Sequence, residues 1–154
     1  MLDLATAENK RKLPDKEKLM PSIGNGYVAT VVHSDTMYRS DLFNGYNITS
    51  HRARIPSTCA INVTSISRTI DSSEYWLDIG RGMYKEIYKG SLYQIELNMY
   101  AHRKYSSLLV TEMYVWNNAR SENLTLTLNV NKGDESIDLD ILQNKPLFSD
   151  KTVK

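Results

Sequence analysis

From Asn123 to Asn131 the chain alternates without a break. Leu124, Leu126, Leu128 and Val130 fall on one parity; Asn123, Thr125, Thr127, Asn129 and Asn131 fall on the other. Successive side chains of an extended strand point to opposite faces, so such a segment buries one side and solvates the other only as a half-buried strand. The stretch 91–102 does the same, setting Tyr93, Ile95, Leu97, Met99 and Ala101 against Gln94, Glu96 and Asn98. Ile137, Leu139 and Ile141 alternate with Asp138 and Asp140. Residues 108–116 are largely apolar on both parities, with Glu112 the one charged residue, which predicts a central strand covered on both faces. No run of ten or more residues keeps a 3.6-residue period.

Shorter strands are predicted over 27–33, 37–43, 59–66, 75–79 and 84–88. Gly24-Asn25-Gly26, Asn44-Gly45, Gly80-Arg81-Gly82, Lys89-Gly90, Asn117-Asn118 and Lys132-Gly133-Asp134 separate the strands with residues that tolerate positive φ. Many strands without intervening helices predict an all-β antiparallel sandwich. Residues 1–20, polar and broken by Pro14 with Pro21 just beyond, read as an N-terminal arm with one short helical turn, leaving 21–154 for the sandwich.

The 154 residues suit one domain, which at this size buries roughly 68–70% of its unfolded surface. Nineteen Lys and Arg against 18 Asp and Glu provide no electrostatic reason for a nucleic-acid or anionic-membrane partner. A single cysteine, Cys59, rules out an intramolecular disulfide, and its apolar surroundings predict a buried structural thiol. Residues 1–9 lack the basic and apolar regions of a signal peptide, and no stretch approaches the ~20 apolar residues of a transmembrane helix. A cytoplasmic location is therefore expected, and the sequons at Asn47, Asn62 and Asn123 read as accidents of strand chemistry.

Chemistry needs paired carboxylates, a nucleophile with its base, or a metal. Asp134, Glu135, Asp138 and Asp140 form the acidic cluster. Asp138 and Asp140 would share a strand face, a conceivable carboxylate pair, although a solvated edge strand protected by charge is the simpler reading. His33, His51 and His102 lack metal-ligand spacing, and there is no Gly-x-Ser-x-Gly elbow, so neither a metal nor a cofactor is expected. Tyr75, Trp76, Tyr84, Tyr88 and Tyr93 cluster within about twenty residues. Either they form cross-strand structural pairs, or Tyr75, Trp76, Tyr84 and Tyr88 make a platform for sugar rings.

Read in order, several strings carry a resemblance. They are Lys12-Leu13-Pro14-Asp15, Leu19-Met20-Pro21-Ser22-Ile23-Gly24-Asn25-Gly26-Tyr27, His33-Ser34-Asp35-Thr36-Met37 leading to Phe43-Asn44-Gly45, His51-Arg52-Ala53-Arg54-Ile55-Pro56-Ser57, Tyr100-Ala101-His102-Arg103 and Asp138-Leu139-Asp140. Together they resemble the opening of glycoside hydrolase family 65, in its acid-trehalase-like branch, over residues 12 to 148. Ala29 departs from the glycine usual two residues after the tyrosine.

The resemblance implies an N-terminal super-sandwich of the galactose-mutarotase type, preceding an α/α barrel that holds the acid and base carboxylates and is absent here. It implies hydrolysis of O-glycosyl bonds in the whole enzyme, with the best-matching branch releasing glucose from glucosyl-galactosyl-hydroxylysine of collagen. No catalytic residue transfers to this chain. The loops holding Asn44, His51, Arg52 and Arg54 are expected to reach toward the substrate cleft, and a homodimer is compatible with the architecture. The competing expectations are a stand-alone carbohydrate-binding module, or an interaction protein with an exposed apolar sheet face.

Overall fold

The computed structural model describes residues 7–10, 20–44, 49–131, 133 and 136–139. All regular structure among them is β: Ala7–Lys10 (β1), Ser22–Gly24 (β2), Val28–Val31 (β3), Thr36–Arg39 (β4), Phe43–Asn44 (β5), His51–Arg52 (β6), Ile55–Pro56 (β7), Ala60–Ile66 (β8), Ser72–Asp78 (β9), Met83–Gly90 (β10), Tyr93–Ala101 (β11), Leu109–Asn117 (β12) and Leu126–Asn131 (β13). A five-stranded sheet runs β1-β9-β10-β11-β12, and a four-stranded sheet runs β2-β3-β4-β7. Two-stranded pairs β13-β8 and β5-β6 complete the described topology, and every pairing is antiparallel. The all-β antiparallel expectation is met, and no helix among the described residues is long and apolar enough to cross a membrane.

The alternation of β11 sets the core. Tyr93, Ile95, Leu97 and Met99 are buried on its inward parity, and Leu97 and Met99 join Met20, Ile23, Val32 and Tyr84 in one cluster with Val31, Tyr75 and Met113 packed against it. Burying one such aliphatic side chain contributes about 1.5–3 kcal/mol. The β2–β3 turn is tied to the far end of this sheet by Asn25. Its Nδ2 donates to the carbonyls of His102 and Ser106, both at 2.9 Å, while its Oδ1 accepts from the amides of Tyr27 and Val28. Gly26 follows at φ 88°, where a side chain would be strained. Ala29 lies opposite Gly24 in the ladder, and a Cβ on Gly24 would approach that of Ala29 to 2.9 Å. The pair therefore has room for one methyl group.

A carboxylate sits inside the sandwich. Glu86 is 1% exposed and accepts from the hydroxyls of Tyr84 at 3.1 Å and Tyr88 at 2.8 Å. His33 Nε2, from the β3–β4 turn, lies 2.5 Å from Glu86 Oε1. His33 holds a left-handed backbone, φ 64°, which non-glycine residues seldom adopt and which turns its ring toward β10. Burial, reinforced by the neighbouring carboxylate, pushes both phenol hydroxyls well above the usual tyrosine range, keeping them as donors.

Several expectations need correction. Ala7–Lys10, within the stretch read as an arm, is a strand paired with β9; residues 1–6 and 11–19 of that stretch lie outside the described residues. Residues 108–116 do not form a central strand, because β12 is the last strand of its sheet among the described residues and its C-terminal half is exposed on both faces. Ile137 and Asp138 lie in a turn, with the amide of Leu139 bonded to the carbonyl of Ser136, so no strand runs through 137–139. Cys59 precedes β8 and is only half-buried. Asp134, Glu135, Asp140, Gly45 and Asn47 lie outside the described residues.

Removing a buried acceptor leaves its donors unsatisfied, at about 1–3 kcal/mol each. Replacement Glu86→Ala strips the Tyr84 and Tyr88 hydroxyls of their acceptor and is expected to lower unfolding free energy by about 2–5 kcal/mol, read from urea denaturation. A loss below about 1 kcal/mol would show that the carboxylate does not hold the two layers together.

Candidate functional site

Three loop segments meet on one carboxylate. The hairpin of β5 and β6 carries Asn44 and His51, the link to β7 carries Arg54, and the turn 136–139 carries Asp138. The Ser136 hydroxyl accepts from the Asp138 amide at 3.1 Å, a local bond that sets the turn and aims the carboxylate inward. The Asp138 side chain is 3% exposed. Arg54 donates to it from Nε at 2.7 Å, from its backbone amide at 3.1 Å and from Nη2 at 3.3 Å. His51 Nε2 stands 3.1 Å from Oδ1, and Asn44 Nδ2 donates to the Asp138 carbonyl at 3.2 Å.

His51 has acceptors on both ring nitrogens, since Nδ1 lies 3.3 Å from the Thr49 carbonyl. Only the imidazolium donates from both. The hydrogen bond to Asp138, then the one to Thr49, raises its pKa above the ordinary histidine value. Arg54, followed by His51, holds the Asp138 carboxyl well below the usual carboxylate range.

Backbone packing brings the turn here. Gly133 donates to the Ser57 carbonyl at 3.3 Å, and a Cβ on it would fall 2.9 Å from Pro56 Cα and collide with the Asp35 carbonyl. Only glycine permits that approach. Beside the turn lies a hollow of about 210 Å³ lined by Asp35, Thr36, Arg54, Ile55, Pro56 and the exposed Ile137.

Of the loop residues singled out from sequence, Asn44, His51 and Arg54 converge on Asp138. Arg52 does not: its guanidinium lies over the Phe43 ring, 5.2 Å from the centroid, and donates to the Ser40 carbonyl. The aromatic candidates divide between two faces. Tyr75, Tyr84 and Tyr88 point into the sandwich, where Tyr84 is buried and Tyr75 meets Tyr88 edge-on at 6.3 Å. Trp76 faces outward, its Nε1 donating to Glu74. Asp138 is therefore an enclosed acceptor rather than part of a solvated, charge-protected edge. Sequence reasoning missed Glu86 altogether, although a carboxylate between tyrosines at alternate positions, Tyr84-x-Glu86-x-Tyr88, was the available signal. Among the described residues no three His, Cys, Asp or Glu side chains group to hold a metal.

This β-sandwich with carboxylate-clamped loops is similar to proteins named as glucosidases. The chain is 26% identical over 132 residues to the Gallus gallus protein named Protein-glucosylgalactosylhydroxylysine glucosidase, covering 85% of this chain. It is 27% identical over 141 residues, 90% of this chain, to the Mus musculus protein of that name, and 31% identical over 125 residues, 73% of this chain, to that of Dictyostelium discoideum. The chain spans about a fifth of the length of these relatives, 19%, 20% and 17% respectively. No family model matches the chain, and no solved structure does.

Two outcomes follow from the clamp. Its Asp138 contribution is present above the ordinary carboxylate pKa and is lost as pH falls through the depressed folded value. Its His51 contribution is complete below the ordinary imidazole pKa, about 6.5, and is lost as pH rises through the raised folded value. The His51 ring should therefore titrate by NMR with a midpoint above 6.5, and an Asp138→Asn variant should lower that midpoint toward the ordinary value, the Thr49 bond remaining. Separately, Asp138→Ala should speed hydrogen exchange of the Arg54 amide by roughly tenfold or more, while amides of β11 stay unchanged.

Proposed function

We propose that this chain is the N-terminal, non-catalytic sandwich of a glycosidase of the family 65 type, acid-trehalase-like branch. Its substrate as part of the whole enzyme is the glucosyl-galactosyl-hydroxylysine unit of collagen. The chemistry is assigned to an α/α barrel outside these residues, and the clamped loops around Asn44, His51, Arg52 and Arg54 to one wall of the cleft. The relatives' name and the share of their length that the chain spans support this reading.

The observation that carries it is an uncovered apolar face. Leu128 and Val130, on the apolar parity of β13, are 40% and 46% exposed. Val115, on the inward parity of β12, is likewise exposed. A strand patterned for half-burial, with its apolar side in water, suits a domain that packs against another. The two most enclosed carboxylates among the described residues, Glu86 and Asp138, are each occupied by their own partners. An inverting pair instead needs carboxyls roughly 6.5–9.5 Å apart flanking the bond and a water.

Purified 154-residue protein should release no glucose from glucosyl-galactosyl-hydroxylysine and should self-associate in light scattering. The double variant Leu128→Lys, Val130→Lys should reduce that association without loss of the β circular-dichroism signal. Robust glucose release by the isolated chain would refute the assignment.

A further inference from the structure

The outward face of the five-stranded sheet has a composition that structural pairing does not explain. In one row across the strands, Trp76 lies opposite Lys85, Lys85 opposite Asn98, and Asn98 opposite Glu112. Further along β12 on the same parity stand Tyr114 and Trp116. Their rings are 18° from parallel with centroids 6.0 Å apart, and they are 46% and 45% exposed. Both tryptophans of the chain are on this face. Polar groups at its centre are held in place: Lys85 Nζ donates to Glu96 at 2.7 Å, Asn98 Nδ2 donates to the same oxygen at 2.9 Å, and the Tyr100 hydroxyl donates to Glu112 at 2.9 Å. Asn98 is 5% exposed, and its Oδ1 has no hydrogen-bond partner among the described residues.

We propose that this face is a binding site for a carbohydrate of linked pyranose rings. A pyranose presents an apolar patch of C–H bonds on one side and hydroxyls around its rim. The Tyr114 and Trp116 rings supply flat π faces whose negative potential attracts polarised C–H groups. Glu96 and Glu112 accept from hydroxyls, and Lys85 donates to them. A protein partner suits this face poorly, because interface cores are depleted of charge while this one has a lysine and two carboxylates near its centre. A nucleic acid suits it no better, since those carboxylates would repel phosphates. The site lies on the sheet's other side from the inward-facing Tyr75, Tyr84 and Tyr88, and it does not rest on the glycosidase proposal.

The test is titration of the 154-residue protein with glucosyl-galactose, trehalose and maltotriose, followed by tryptophan fluorescence and by amide shifts. At least one sugar should give a saturable change at millimolar concentration, with shifts confined to 94–98 and 112–116. Replacements Tyr114→Ala and Glu112→Gln should each weaken it by roughly tenfold. No saturable change with any of the three sugars overturns the proposal. So does binding that stays within about twofold in the Tyr114→Ala, Trp116→Ala double variant. Should the variants fail to fold, the wild-type shift map decides, and perturbation centred elsewhere refutes the site.

Discussion

The buried Glu86 carboxylate is the interaction on which the two layers of this protein depend. It is rooted in β10 of the five-stranded sheet, yet one of its ligands, His33, comes from the β3–β4 turn of the facing sheet. Apolar contact is non-directional and leaves the sheets free to slide. A charge that is satisfied only when Tyr84, Tyr88 and His33 are all in place admits one registration. The hydrophobic cluster around Leu97 and Met99 then supplies the driving force, within a geometry chosen by polar atoms.

The loop end repeats this arrangement at the surface. Asp138 gathers donors from Asn44, His51 and Arg54, residues 84 to 94 positions away. The clamp is half-exposed on its cationic side, so it is screened by salt and contributes to loop order more than to global stability. One protein thus holds two carboxylates in different regimes: Glu86 among phenols in the core, and Asp138 among cations at the rim.

Much of the fold was legible because strands announce themselves by parity. The alternation around β11 matches its buried face residue by residue, and β3, β4, β8, β9 and β10 fall close to where turn chemistry and β-formers placed them. Strands of two to four residues were not legible, since β5, β6 and β7 are too short to show a period. The double-apolar pattern of β12 misled, because aromatic residues that serve an outward face read the same as residues buried by a second layer. At the clamp, the sequence marked Asn44, His51 and Arg54 as a group but not their common partner. Asp138 sits in an alternating run that imitates a strand, and the signals of a turn, Gly133 and the Ser136 hydroxyl, are local and weak.

The left-handed backbone of His33 carries an evolutionary consequence. That position imposes two demands at once: a main chain that glycine or asparagine tolerates best, and a ring nitrogen within reach of Glu86. Residues that ease the first demand fail the second, and aromatic or cationic replacements that approach the second worsen the first. Change at His33 is therefore expected to be epistatic with Glu86, the two drifting together or not at all across descendants of this chain.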